Sequence, residues 1–320
     1  LKPRVAVLDD YQSVARRYGD WSGLESRADV TVFHDTQADL DALVKRLAPF
    51  DIIATMRERT PFPRGLVERL PRLKLLATTG MHNRSFDLAA LHERGVFVSG
   101  TPSTYNTTTE LTWCLLLALA RRLVAENRSM HQGGWQTSIG LGLRHHVLGL
   151  VGLGKIGAEV AGVARQFGMS VIAWSRNLTQ ERCAAFGATL VDKATLFATA
   201  DFISVHMVLS EQTRGLVGAA DIARMKRTAY LVNTSRGALV DEAALLDALE
   251  SGAIAGAGLD TFEQEPLPPH HRLRHLENAL LTPHLGYVTD DAYRTYFSHT
   301  VENILAFLDG TPLRPLHEAH

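Results

Sequence analysis

Cysteine is almost absent from this chain of 320 residues: the two present, Cys114 and Cys183, lie in apolar, helix-like stretches without a Cys-x-x-Cys spacing. Neither a disulfide framework nor a zinc site is expected, and the usage fits a reducing cytoplasm. An excess of charge is missing too. With 33 Lys and Arg against 34 Asp and Glu, bulk electrostatics point to neither nucleic acid nor an anionic membrane, which leaves small molecules as partners. Long apolar runs are lacking as well. The most apolar stretch, Leu111 to Ala120, is about half of a membrane span and is closed by Arg121-Arg122, so a buried helix between domains or subunits is expected instead. The chain enters from Lys2-Pro3-Arg4 directly into a strand-like run without the apolar core of a signal peptide, and no export is expected. The pairs His145-His146 and His270-His271 have no third ligand at a metal-site spacing, and adjacent side chains diverge, so no metal is expected.

What is present is a hydrophobic fraction of 46% over a length that predicts two domains. Short apolar runs at Val5–Leu8, Val30–Phe33, Ile52–Ala54, Leu73–Ala77 and Val96–Val98 alternate with amphipathic segments at Asp39–Leu47, Pro63–Leu70 and Ser85–His92. That alternation predicts an α/β unit with a parallel sheet, whose ligands bind beyond the carboxyl ends of the strands. Thr101–Thr109 reads as a linker and helix start, Glu110–Met130 as one long helix, and Gly133–Leu143 as a loop-like arm. The rhythm then resumes, with strands at Ala188–Leu190, Phe202–Val205, Tyr230–Val232, Ala255–Leu259 and Ala279–Leu281. Helices are predicted at Lys193–Ala198, Ala219–Met225, Glu242–Glu250 and Thr289–Leu308.

The second half is organised around Val147–Gly157, in which a β-branched run enters Gly152-Leu153-Gly154-Lys155-Ile156-Gly157. In a Gly-x-Gly-x-x-Gly turn the first glycine serves the tight turn, the second lets backbone amides approach a diphosphate, and the third lets the helix lie on its strand. The diphosphate would sit at the positive end of that helix. Ala158–Phe167 and Met169–Trp174 complete a βαβ unit, and the residues after its second strand read the adenosine ribose. Here they are Ser175-Arg176-Asn177, without an acid. A small polar residue beside an arginine suits the 2′-phosphate of NADP; if Arg176 is only a solvated loop residue and a nearby carboxylate reads the ribose, the cofactor is NAD.

Three further residues stand where strands end: Arg236 in Asn233-Thr234-Ser235-Arg236-Gly237, Glu265 in Asp260-Thr261-Phe262-Glu263-Gln264-Glu265-Pro266, and His284 in Thr282-Pro283-His284-Leu285-Gly286. With the glycine turn, these motifs make the chain resemble, over nearly its whole length, the D-isomer-specific 2-hydroxyacid dehydrogenases, which include phosphoglycerate dehydrogenase and glyoxylate/hydroxypyruvate reductase. The resemblance implies an α/β fold of two domains with parallel sheets. A flavodoxin-like substrate domain would comprise residues 1–103 and 286–320, and a Rossmann dinucleotide domain residues 104–285. It makes Arg236 the substrate-binding cation, His284 the acid/base and Glu265 its carboxylate partner. It places Thr107, Gly152, Gly154, Lys155, Ile156, Gly157, Ser175, Arg176, His206, Thr234, Asp260 and Gly286 along the cofactor. Gly80, Met81 and His82 become candidates for holding a substrate carboxylate through backbone amides, with Arg57 and Tyr287 reading the rest of the substrate. It also implies a homodimer formed by the cofactor domains. Two departures stand out: Val208 where the family usually has proline, and Tyr287 where it often has something small.

These residue types suit the chemistry. Reducing a 2-keto acid requires a proton donor within reach of the developing alkoxide, a role for an imidazolium. A carboxylate beside it suits the charged ring and fixes its orientation. An arginine can hold the substrate's carboxylate and keto oxygen with two directed donors, which lysine does less well. The alternative in another class is a dinucleotide-sensing protein like the carboxy-terminal-binding corepressors, which share the fold and triad but carry an added tail. The chain's end soon after its closing helix favours an enzyme. Formate dehydrogenase uses glutamine where Glu265 stands, and no appended regulatory domain of the phosphoglycerate dehydrogenase kind is expected. Glyoxylate and hydroxypyruvate are first guesses for the substrate by resemblance.

Overall fold

Apolar runs of two to five residues form the strands of two all-parallel sheets, one in each of two units, Leu1–Tyr105 with Thr289–His320, and Asn106–Val288. The computed structural model describes residues 2–103 and 107–316; positions 104–106 of the Thr101–Thr109 linker lie outside the described residues.

In the first unit β1 (Arg4–Val7), β2 (Asp29–Val32), β3 (Ile52–Thr55), β4 (Leu75–Thr78) and β5 (Phe97–Ser99) lie in the order β2-β1-β3-β4-β5. Every residue of β3 and β4 is buried, as expected of central strands covered on both faces. The order is flavodoxin-like and reverses between β1 and β3, so the loops leaving those strands flank a crevice of the kind that binds ligands. Helices Leu40–Leu47, Leu88–Glu93 and Asp290–Leu308 start where Asp39, Asp87 and Thr289 accept a backbone N–H of the first turn. Two short helices, Ala15–Tyr18 and Ser22–Glu25, escape the sequence reading because one turn shows no periodicity. They are set by the Asp10 carboxylate, which accepts the N–H groups of Val14 and Ala15, and by the Trp21 indole, which donates to the Ala15 carbonyl.

In the second unit β6 (Val147–Val151), β7 (Ser170–Trp174), β8 (Thr189–Leu190), β9 (Phe202–Val205), β10 (Tyr230–Asn233), β11 (Gly256–Leu259) and β12 (Ala279–Leu281) form the order β12-β11-β10-β9-β6-β7-β8. This is the doubly wound Rossmann arrangement extended by one strand, with its switch point between β6 and β9. The predicted helix over Glu110–Met130 is instead two, Thr107–Ala120 and Leu123–His131, separated by Arg122 in the left-handed region at φ 52°. The cause is tertiary. The Ala120 carbonyl, which a continuing helix would use, accepts the Leu141 N–H at 2.6 Å from the returning arm. The first of the two helices packs on β10, β11 and helix Lys155–Gln166 within its own unit. Among the described residues no helix is long and apolar enough to cross a membrane.

Phe202 is fully buried in this sheet and stacks on Tyr230 at 5.5 Å. Replacing it with alanine is expected to cost about 3–5 kcal/mol, read as a lower urea midpoint with little change in slope.

Candidate active site

The glycine turn leaves β6 at the switch point. Gly152 stands at φ +103°, and a Cβ there would meet the His206 carbonyl oxygen at 2.5 Å; at Gly157 it would meet the Gly152 oxygen at 2.3 Å. Both glycines are thus required by the protein's own packing. Gly154 differs: it is exposed, and a Cβ built on it meets nothing within 4 Å. Open space at that position, above a helix start whose first N–H groups have no intrahelical acceptor, fits a ligand that needs close backbone approach, such as a diphosphate. Helix Lys155–Gln166 begins there without a side-chain cap and without an acid in its first turn. Lys155 is exposed on it and Ile156 half-buried.

At the end of β7, Ser175 is half-buried, and exposed Arg176 donates to Gln212 Oε1 at 3.2 Å. Arg182, which the sequence reading did not single out, points its guanidinium at the Leu153 carbonyl of the glycine turn, 3.4 Å from both Nε and Nη2. His206 follows β9; its Nε2 pairs with the Ser204 hydroxyl at 2.8 Å and its Nδ1 is buried without a hydrogen-bond partner. Burial pushes its pKa down to about 4. Val208, in place of proline, is exposed, and the Thr213 hydroxyl donating to its carbonyl at 2.7 Å holds the turn without a proline ring.

The three catalytic candidates come from three adjoining strand ends of this unit. Arg236 follows β10, where the Asn233 side chain donates to the Arg236 carbonyl and accepts the Ser235 N–H, closing a tight turn. A Cβ on Gly237 would lie 2.0 Å from the Phe262 carbonyl carbon; only glycine lets the arginine loop press against the loop that carries Glu265. The Glu265 carboxylate accepts the Phe262 N–H at 2.9 Å on Oε1 and bonds His284 Nδ1 at 2.6 Å through Oε2. With Nδ1 so engaged, Nε2 is the nitrogen left for other chemistry. His284 has a left-handed backbone, φ 54°, an arrangement that costs a side-chain-bearing residue on the order of 1 kcal/mol.

Asp260 holds that conformation. It is fully buried: its backbone carbonyl accepts the His284 N–H at 2.9 Å, its Oδ1 accepts the Thr282 hydroxyl and the Leu285 N–H, each at 2.6 Å, and its Oδ2 accepts the Gly286 N–H at 2.9 Å. Burial raises its carboxyl pKa, opposed by those hydrogen bonds and by the nearby His284. Oδ2, with one donor, retains acceptor capacity. The Thr107 hydroxyl donates to the Gly286 carbonyl at 2.6 Å, and the Thr234 hydroxyl pairs with that of Thr112 at 2.8 Å. Thr107, Thr234, Asp260 and Gly286 thus converge on one stretch of this unit, whereas Ser175 and Arg176 lie at the end of β7, on the far side of β6.

Tyr287, an expected substrate reader, lies beside His284. Its ring is only 9% exposed and lies edge-on to His284, centroids 5.4 Å apart, so it packs against the imidazole.

In the first unit Arg57 follows β3 with φ 53°, a rare backbone for a long side chain. Thr79 Oγ1 accepts its N–H at 2.9 Å and Asn83 Nδ2 donates to its carbonyl at 2.7 Å. Its guanidinium lies across Gly80, where a Cβ would come 2.0 Å from Nη1. Gly80 therefore makes room for Arg57, and its N–H is already given to Thr101 Oγ1 at 3.0 Å, which removes it from the three amides expected to hold a carboxylate. Met81 and His82 remain, both exposed. Thr79, Asn83 and Thr101 were not legible as site supports, because their partners lie about twenty or more residues away or point back across a turn. Among the described residues no group of three or more His, Cys, Asp or Glu is gathered as for a metal ion.

Residues 113–286 match the family model for the NAD-binding domain of D-isomer specific 2-hydroxyacid dehydrogenases. A glyoxylate reductase of Korarchaeum cryptofilum is 33% identical over 97% of this chain and 94% of its own length. One of Thermococcus litoralis is 37% identical over 84% of the chain and 83% of its own length. The crystal structure of a phosphoglycerate oxidoreductase from Vibrio cholerae superposes with a TM-score of 0.90 at 36% identity, covering 96% of this chain and 99% of that one.

Below pH ~6.5 the unfolded chain takes up a proton on His206 that the folded chain refuses until about pH 4. Stability is therefore expected to fall as pH drops through that window, by up to about 3 kcal/mol. Urea titrations of His206→Gln across it should show a flatter acid limb than the parent; equal limbs would remove His206 as the cause.

Proposed function

The chain belongs to the D-isomer-specific 2-hydroxyacid dehydrogenase family, oxidoreductases of 2-hydroxy and 2-keto acids that use a nicotinamide dinucleotide, and we propose that it interconverts a small 2-keto acid and the D-2-hydroxy acid, with NADP(H) favoured over NAD(H). The observation that carries this reading is the 2.6 Å bond between His284 Nδ1 and Glu265 Oε2, on a loop that adjoins the Arg236 turn.

On this reading Arg236 pairs with the substrate's carboxylate and keto oxygen, fixing the carbonyl and drawing charge onto its oxygen. The bound nicotinamide supplies the hydride in reduction and accepts it in oxidation. His284 gives its Nε2 proton to the oxygen as negative charge develops there and takes it back in the reverse direction. Glu265 keeps Nδ1–H as the bonded tautomer throughout, so the ring neither turns nor loses its counter-charge. Asp260 acts as a positioning residue for His284, and Arg57, Met81 and His82 read the rest of the substrate.

Support for NADP(H) comes from the missing acid after β7 and from Arg176, whose hydrogen-bond partner is a neutral amide. Glyoxylate and hydroxypyruvate are the first substrates to try. A cytoplasmic setting accords with two free cysteines. A homodimer through the second unit is supported by an apolar surface on its arm: Trp135 is 74% and Ile139 95% exposed, although Glu126 pins the same arm by accepting from the N–H and hydroxyl of Thr137.

The deciding assay follows NADPH and NADH oxidation against a panel of 2-keto acids. Turnover is expected with NADPH preferred, and Arg236→Ala and His284→Ala should each lower kcat/KM by roughly a thousandfold while NADPH still binds. Near-normal turnover in either variant refutes the assigned role; silence of the parent across the panel, with cofactor bound, moves the reading to a dinucleotide sensor. Ile139→Asp should convert a sedimenting dimer to monomer at micromolar concentration, and a parent that is already monomeric ends the dimer proposal.

A further inference from the structure

The strands flanking β6 are β7 on one side and β9 on the other. Arg176 leaves the end of β7, and Gln212 belongs to the segment that leaves β9. Their 3.2 Å hydrogen bond therefore joins the two flanking loops across the end of β6, where the glycine turn begins. The Gln212 segment is tightly knit. Thr213 Oγ1 donates to the Val208 carbonyl and accepts the Ser210 N–H, both at 2.7 Å, and the Arg214 N–H donates to the Ser210 carbonyl at 2.9 Å. The amide is thus presented from a closed turn.

The partner's chemistry matters more than its position. An arginine held by a carboxylate is oriented but neutralised; one held by a carboxamide oxygen is oriented and keeps its full charge. No carboxylate among the described residues forms an ion pair with Arg176. Since Gln212 spends its oxygen on the guanidinium, its amide nitrogen remains a second donor beside an undiminished cation. A dianionic group on the adenosine ribose is what such a pair recognises, whereas a bare 2′-hydroxyl gains little from it.

We infer that Gln212 is a specificity-determining residue for the cofactor, orienting Arg176 across the end of β6 without cancelling its charge, so that the pair selects a 2′-phosphorylated ribose. The inference rests on the reading of Arg176 as the 2′-phosphate cation.

The test is calorimetric titration of the full chain with 2′,5′-ADP and with 5′-AMP, for the parent, Arg176→Ala, Gln212→Ala and Gln212→Glu. All three side-chain changes are at exposed positions, and thermal melting checks that each variant is folded. Arg176→Ala should lose most of the preference for 2′,5′-ADP. Gln212→Glu should lower that preference by about fivefold, the effect of an exposed charge pair, with Gln212→Ala losing less because the charge survives. The NADPH-to-NADH ratio of kcat/KM should follow the same order. If Arg176→Ala loses the preference but Gln212→Glu keeps it, the role of Gln212 is overturned and the NADP(H) reading stands. Equal weakening of both fragments by Gln212→Glu also overturns it, as the mark of a merely structural bridge. A preference untouched by Arg176→Ala overturns both.

Discussion

The buried carboxylate of Asp260 is the contact on which the candidate site depends. Three donors from one short loop, the Thr282 hydroxyl and the N–H groups of Leu285 and Gly286, close on its two oxygens, and its backbone carbonyl takes the N–H of His284. Unpaired, each of these groups would carry the desolvation cost of a buried polar atom. Collected on one residue, they force the loop into a single course and hold His284 in a left-handed conformation it would not otherwise favour. Everything downstream inherits this constraint. The imidazole meets Glu265 because its backbone is not free to turn away, and Gly286, drawn in by Oδ2, offers the carbonyl that receives Thr107.

The first unit uses the same device at another strand end. Arg57 is also left-handed, also just beyond a parallel strand, and is held by a hydroxyl oxygen that accepts its N–H and a carboxamide that donates to its carbonyl. In both units, regular hydrogen bonding ends where the strands end, and side chains from neighbouring loops take over the backbone groups. Residues at these points can be fixed in conformations that a strand or helix would forbid, which is why doubly wound sheets concentrate function at their carboxyl edges.

The glycine turn shows two different reasons for one residue type. Gly152 and Gly157 are demanded by the protein itself, since any Cβ would collide with a backbone oxygen; Gly154 is not, since its Cβ would stand in open space. Only the second kind speaks of a ligand. Around it stand an uncapped helix start with no acid in its first turn, Arg182 at the Leu153 carbonyl and Arg176 on a neutral amide. On the proposed reading these serve one anionic cofactor along its length.

Much was legible in the sequence because it depends on local periodicity and composition. Strands buried on both faces announce themselves as short apolar runs, and Phe202–Val205 and the helix Glu242–Glu250 match the sequence reading to the residue. The ordered motifs carried Arg236, Glu265 and His284, since each is embedded in turn residues that only a strand end needs. What the sequence could not determine were events between distant residues. The break at Arg122 exists because Leu141 takes a carbonyl from twenty-one residues away, and the withdrawal of the Gly80 amide exists because Thr101 is in reach. The meeting of Arg176 with Gln212 is of the same kind. Sequence spacing encodes what a segment becomes by itself; which donor finds which acceptor is decided only when the sheets bring their loops together.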